Sequence, residues 1–277
     1  MKYLGGKQRL GKHLSPVLHE LYKTHQPTLR LNGYLEPFCG SLGVFKHMTD
    51  LGATATTIVA NDYHPDLIKL WQEVQAGTFE YPESISEAEY NEAKTLPSPS
   101  AYKAFVGFGL SFGGRYFGAY SQKYLGNKKE DFCKEMTNSL KRTAPLIKKS
   151  KVKFTNRMYQ SLRPKNKFIY CDPPYQTTKF PIKYRRETKH YDTFNNDEFW
   201  DIMRKWSDPS LHNVVLISET TAPPDFVPIW TMDRYRSAAQ STKTRFLDNE
   251  TNPKETIQTE KLYMYAPAAK KYKISTQ

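Results

Sequence analysis

Apolar and polar positions divide this chain into short β-prone runs and longer stretches with helical spacing. Leu10, Leu14, Val17, Leu18 and Leu21 recur at the helical period after a Gly5-Gly6 break. Tyr34 to Glu36 is a short strand broken by Pro37, and a helix is expected from near Val44. TTIVAND predicts a second strand ending in Asn61 and Asp62, followed by a helix. VKFTN predicts another strand. Phe168, Ile169 and Tyr170 read as a buried parallel strand that stops at Pro173 and Pro174, which cannot donate to a sheet ladder. FNNDEFWDIMRKW predicts a helix with Asn195 or Asn196 as N-cap. NVVLISE is a buried strand leading into a loop, KLYMY is a further strand, and a short polar tail is expected from Ala266.

Between about Trp71 and Lys149 the alternation of strand and helix is lost. ISEAEYNEAK has helical spacing, LPSPSAY is a loop, and AFVGFGLSFGGRYFGAYSQKY mixes aromatics with glycine. Helical spacing returns over Lys128–Ile147. The pattern predicts an α/β fold with a mostly parallel sheet, built from residues 1–70 and 150–277, with a mainly helical insert over 71–149.

Composition narrows the class. At 277 residues with 38% hydrophobic and 14% aromatic content, the chain is globular, with one large domain or a core domain carrying an insert. A net charge of +13 favours a polyanionic partner, nucleic acid before an acidic membrane. Cys39, Cys133 and Cys171 are odd in number and lack metal-ligand spacing, so they read as free thiols in a reducing compartment. With no membrane-length apolar run and no signal-peptide core, an intracellular protein is expected, without a membrane or a required metal.

Four stretches could carry chemistry. In Asp172-Pro173-Pro174-Tyr175, two prolines hold a carboxylate and an aromatic rigidly at the carboxyl end of a strand, where open α/β sheets bind ligands. Read blandly, it is only a strand-terminating turn. EPFCGSLG places Gly40 and Gly43 between a strand and a helix, the setting of a nucleotide loop without the full G-x-G-x-x-G pattern. Asp62, about 20 residues on, suits ribose hydroxyls or else caps the next helix. The GGK turn offers backbone N–H groups and Lys7 to an anion, and lacks the spacing of a phosphate-binding P-loop. For nucleic acid, the candidates are Arg115 and Tyr116 in the GGRY loop, and the basic stretch after DPPY with Lys183, Arg185, Arg186 and Tyr191. The GGRY loop could equally be aromatic packing. Six basic residues from Lys141 to Lys153 add a weaker phosphate-contact candidate.

EPFCGSLG paired with YCDPPY, preceded by GGK and separated by an insert, resembles the S-adenosylmethionine-dependent DNA N6-adenine methyltransferases. The order matches the Dam-like branch, and FWDIMRKW, VVLISETTAPPDF and TEKLYMY look like later elements of its phage-type members. The resemblance implies a Rossmann-like, class I methyltransferase fold whose insert recognises the target. It implies double-stranded DNA as substrate and a setting in a bacterial or phage-infected cell. It places Tyr3, Lys7, Pro37, Phe38, Cys39, Gly40, Asp62, Asn156 and Asp172 around S-adenosylmethionine, and Asp172, Pro173, Pro174 and Tyr175 in catalysis. Two departures stand out. Leu42 occupies the place of a frequent second glycine, and TNRMY at Asn156–Met158 lacks a carboxylate common near the cofactor's adenine.

The chemistry this implies is alignment. Tyr175 stacks on an adenine flipped from the duplex, while the Asp172 carboxylate and the Pro173 carbonyl accept its two N6–H protons. Tyr184 or Tyr191 closes the other face. The alternatives are a methyltransferase on RNA or on a protein amide nitrogen, whose motif often begins with Asn, and one on cytosine N4, whose motif usually begins with Ser. A catalytically silent DNA-binding relative is the alternative from another class. A nicotinamide enzyme leaves DPPY unexplained.

Overall fold

The structure, a computed structural model, describes residues 1–53, 57–121, 124–125, 128–174, 194–236 and 256–276. The helices are α1 (Gly11–Leu29), α2 (Pro65–Ala76), α3 (Glu87–Ala93), α4 (Ala101–Gly109), α5 (Phe132–Lys149), α6 (Asn196–Trp206) and α7 (Ala266–Tyr272). The strands are β1 (Gly33–Glu36), β2 (Thr57–Asp62), β3 (Tyr124–Leu125), β4 (Lys128–Lys129), β5 (Lys153–Asn156), β6 (Phe168–Cys171), β7 (Val214–Glu219), β8 (Phe226–Arg236) and β9 (Thr256–Tyr265).

Seven strands form one sheet in the order β5-β2-β1-β6-β7-β9-β8. The pairings from β5 through β7 are parallel, and β9 runs antiparallel between β7 and β8. The sheet is mixed and mostly parallel, as the sequence pattern predicted. The chain starts in the middle at β1, moves out through β2 to β5, then returns to the other side of β1 at β6. That reversal makes the carboxyl ends of β1 and β6 the switch point, where open α/β sheets bind ligands.

Strand alternation sorts the core into two faces. Tyr34, Ala60, Phe168, Tyr170, Leu216, Leu262 and Met264 share one apolar cluster with Leu14 and Leu18 of α1, Leu67 of α2 and Phe105 of α4. Leu35, Ile169, Cys171, Val215 and Ile217 face the other way, against Phe199, Trp200, Met203 and Trp206 of α6. Among the described residues, the insert's core is continuous with this face: Phe79, Tyr90, Phe117 and Phe132 belong to the first cluster. Asn195 caps α6, accepting from the Glu198 N–H, and Ser86 with Glu89 forms a reciprocal capping box on α3.

Several local expectations change. Where a helix was expected from Val44, there are only two short 3-10 turns, Phe45–His47 and Thr49–Ala53. Val44, Thr49, Asp50 and Gly52 are all poor helix formers. Lys128 and Lys129 are in β4, paired with β3, and the helix begins only at Phe132, where Asp131 caps it. The tail from Ala266 is α7, with Pro267 in its first turn and Ala268 and Ala269 buried. Strand β8 is an element that the sequence pattern did not predict. Pro228 and a register irregularity between Pro228 and Trp230 break its alternation.

Candidate active site

At the carboxyl end of the sheet the first apolar face gives way to a row of polar side chains. By strand parity, Asn156 follows Phe154, Asp62 follows Ala60, Glu36 follows Tyr34, Asp172 follows Tyr170, and Ser218 follows Leu216. Glu260 precedes Leu262 on β9, whose opposite direction brings its first half to this same edge.

The N-terminal segment crosses this row. The Lys7 ammonium lies 3.2 Å from Asp172 Oδ1 and 3.8 Å from a Glu260 carboxylate oxygen. The Lys7 side chain is only 6% exposed, against 19% for Asp172, and Glu260 is buried. Gly43 explains how the segment comes so close: a Cβ there would lie 2.9 Å from the Lys7 backbone. Gln8 donates to the Ser41 carbonyl and hydroxyl, tying the GGK turn to the glycine loop.

The loop is held from beneath by Asn61, which is fully buried. Its amide donates to the carbonyls of Pro37 (3.0 Å) and Arg157 (2.9 Å), and its oxygen accepts from Thr155 Oγ1 and the Arg157 N–H. One side chain thus joins the ends of β1, β2 and β5. Asp62 accepts from the N–H groups of Gly40 (2.9 Å) and His64 (3.0 Å), and burial raises its pKa. The residue that caps α2 is His64, whose Nδ1 accepts from Leu67, so Asp62 is not the cap. Trp71 of α2 donates its indole N–H to the Gly40 carbonyl at 3.0 Å. Tyr3 covers the Gly40 backbone, its ring 3.0 Å from where a Cβ would stand. Buried Cys39 donates its N–H to the Asn61 carbonyl, and burial pushes its thiol pKa up.

Leu42 takes the left-handed conformation a glycine would prefer, with φ 57°, while its side chain is fully buried. The backbone turn is therefore kept despite the departure. Leu42→Gly should still destabilise the protein, because lost burial and a cavity of about 2–5 kcal/mol outweigh about 1–2 kcal/mol of relieved strain. Urea unfolding of the two proteins measures the difference.

Glu36 sits at the end of β1 beside this cluster and accepts from the Tyr34 hydroxyl at 2.6 Å. Burial, then the nearby Asp172 charge, hold its pKa well above the ordinary 4.5, despite that hydrogen bond. With the folded value raised, the folded state retains a proton the unfolded chain loses, so stability falls as pH rises above 4.5. Glu36→Gln removes that loss. Its melting temperature should match the wild type near pH 4 and exceed it near pH 8, and equal melting at both would count against a raised Glu36.

Phe38 packs with Tyr159, Phe194 and Phe199, ring centroids 5.1 to 6.0 Å away, so its ring belongs to the α6 side of the sheet. Asn156 donates to the carbonyls of Asp62 and Tyr63, using both amide hydrogens, and the side chains of Tyr63 and of Met158, two residues on, are exposed.

In the insert, Gly114 abuts the N-terminal segment: a Cβ there would lie 2.5 Å from the Tyr3 nitrogen, and Leu4 donates to the Gly114 carbonyl. Arg115 follows, partly exposed. Tyr116 is turned inward, its ring against His64, Phe108 and Phe117 and its hydroxyl donating to Asp66 at 2.6 Å. Burial, then that bond, raise its pKa. Phe112, two residues before Gly114, is 73% exposed. The basic end of α5 leads into the amino end of β5, a strand length of about 13 Å from the active edge.

Asp172 and Pro173 stand at the switch point, with Pro173 buried and Pro174 partly so. Tyr175, Lys183, Tyr184, Arg185, Arg186 and Tyr191 lie outside the described residues. The sequence reading gave no role to Glu36, Asn61, Trp71, Phe112 or Glu260. The strand-end position of Asn61, next to Asp62, was the one local hint.

Residues 3–104 match the model of a family described as D12 class N6 adenine-specific DNA methyltransferase. The matched region holds the GGK turn, the glycine loop and Asp62, and ends before the DPPY turn. No curated protein matches the chain.

Proposed function

We propose that this chain, whose residues 3–104 match the model of the D12 class N6 adenine-specific DNA methyltransferases, is such an enzyme, and that its own residues carry the reaction as follows. The methyl donor is S-adenosylmethionine, bound along the polar row, and the acceptor is N6 of an adenine flipped from double-stranded DNA. The observation that carries this reading is the Asp172 carboxylate at the switch point, paired with the buried ammonium of Lys7 at 3.2 Å.

The residues present fit the donor's chemistry. Asp62 accepts from the N–H groups of Gly40, His64 and Tyr63, and a carboxylate accepts about four hydrogen bonds, so room remains for a ribose hydroxyl. Asn156 commits its amide hydrogens to backbone carbonyls, which leaves its carbonyl oxygen as an acceptor for an adenine amino group. In that role it replaces the missing carboxylate without adding charge. Tyr3, Lys7 and the Pro37-to-Gly40 loop line the remainder, with Tyr63 and Met158 as apolar flanks. When bound, the cofactor supplies an electrophilic methyl on a sulfonium.

The protein's part is to aim a nitrogen at that methyl. Asp172 and the Pro173 carbonyl accept hydrogen bonds from the two amino N–H groups, drawing the N6 lone pair out of conjugation with the ring, and Pro174 keeps both acceptors fixed before the base arrives; N6 sheds one proton to solvent as it gains the methyl. Tyr175 stacks on the flipped base and recovers part of the unstacking cost. Segment 71–149 is the proposed target-recognition region. Within it Arg115 reaches DNA, Tyr116 anchors the loop from inside, and Phe112 is an apolar wedge of the type that enters base steps. Lys183, Arg185, Arg186 and Tyr191 add contacts to the duplex.

Titration calorimetry with S-adenosylmethionine tests the donor site. One donor bound per chain is the expected result. No heat, with a folded protein, would leave a silent DNA-binding relative as the better reading.

A further inference from the structure

We infer that Glu260 is a positioning residue for methyl transfer, holding the Lys7 ammonium so that the Asp172 carboxylate can turn to the adenine amino group. The inference rests on the role proposed for Asp172.

Lys7, Asp172 and Glu260 come from three distant parts of the chain and meet on one face of the sheet. The ammonium bridges two carboxylates, at 3.2 Å to Asp172 and 3.8 Å to Glu260. Asp172 is the more exposed of the two, on the side where a base would arrive, and Glu260 is the more deeply buried. Glu260 is also the better fixed. It lies within β9, which is paired on both sides, to β7 and to β8, whereas Asp172 follows the end of its strand.

The geometry creates a competition. Asp172 must accept a proton-bearing amino group, yet its oxygen already faces a cation that withdraws electron density from it. With Glu260 present, the buried ammonium keeps a carboxylate partner when Asp172 turns away. Without the Glu260 charge, one carboxylate fewer competes with Asp172 for the ammonium, and Lys7 holds that acceptor more tightly. The loss falls on the chemical step, since Glu260 touches neither the base nor the methyl. It should therefore appear in kcat rather than in KM for DNA.

The test is a cycle in the full-length protein: Glu260→Gln, Glu260→Asp, Lys7→Gln and the Lys7→Gln/Glu260→Gln double variant. Single-turnover and steady-state methyl transfer are measured with S-adenosylmethionine and genomic DNA lacking N6-methyladenine. Glu260→Gln should lower the single-turnover rate and kcat by roughly 10- to 100-fold, with KM for DNA within about threefold. Glu260→Asp, which keeps the charge, should recover much of the rate. In the Lys7→Gln background, Glu260→Gln should change the rate by less than about threefold, because its effect runs through Lys7. An unaffected rate, or an equal fall with and without Lys7, overturns the inference. Should Glu260→Gln fail to fold, the neutral Glu260→Asn carries the same comparison in both backgrounds. An active Asp172→Ala would remove the underlying reading, whereas an inactive one beside an unaffected Glu260→Gln overturns only this inference.

Discussion

Replacing Asp172 with alanine should reduce methyl transfer by roughly a thousandfold or more, while the protein stays folded and still binds DNA. The carboxylate is the one charged acceptor held at the end of β6, and the Pro173 carbonyl alone cannot draw both amino protons. The fold should tolerate the loss for a specific reason. Lys7, the buried group that faces Asp172, keeps Glu260 within 3.8 Å, so the substitution leaves no isolated buried charge. The melting temperature should move by only about 2–4 °C, the shift that 1 kcal/mol produces in a chain of this size. Activity, melting and DNA affinity measured on one preparation separate these effects. A fully active Asp172→Ala would sink the proposed mechanism.

The second large effect is on stability. Asn61→Ala should cost about 3–5 kcal/mol, a large share of the 5–15 kcal/mol that holds a typical domain together. The fully buried side chain makes four hydrogen bonds, and alanine replaces none of them. The buried carbonyl of Pro37 and the part-buried one of Arg157 lose their donors, and an unsatisfied buried group costs about 1–3 kcal/mol. Because those bonds hold the glycine loop against the ends of β2 and β5, affinity for S-adenosylmethionine should fall as well. Differential scanning calorimetry and donor titration measure the two consequences. A melting temperature within a degree or two of the wild type would contradict the clamp.

What could be read from the sequence followed locality. The β6 strand and its double-proline stop, the strand before Pro37 and the helix after Gly6 are each written in a few adjacent residues, and each formed as expected. The short 3-10 turns after Gly43 were harder, because several weak helix formers act against a spacing that looked helical, and Lys128 and Lys129 pair with β3 where that spacing resumed. Helix α7 hid in a stretch of alanine and lysine with little amphipathic signal. Strand β8 hid behind Pro228.

The site divides in the same way. Asp172, Lys7 and Asp62 stand in recognisable motifs. Glu260 does not, because its meaning comes from a lysine 253 positions earlier, brought across the sheet by the chain's return to β6. Asn61 looks like any polar strand end until its partners at Pro37, Thr155 and Arg157 converge on it. The Leu42 departure, alarming in a motif, proves harmless to the turn, since the backbone adopts a left-handed φ and the side chain fills the core.

The central claim is that this chain methylates adenine at N6 in DNA through the Asp172 turn. Incubation with methyl-labelled S-adenosylmethionine and unmethylated genomic DNA, followed by nucleoside analysis and mapping of the modified sites, tests it directly. The account predicts label in N6-methyladenine within a defined short sequence for the wild type and none for Asp172→Ala. Label in N4-methylcytosine, in RNA or in protein, or an absence of label from a protein that binds the donor, would contradict it.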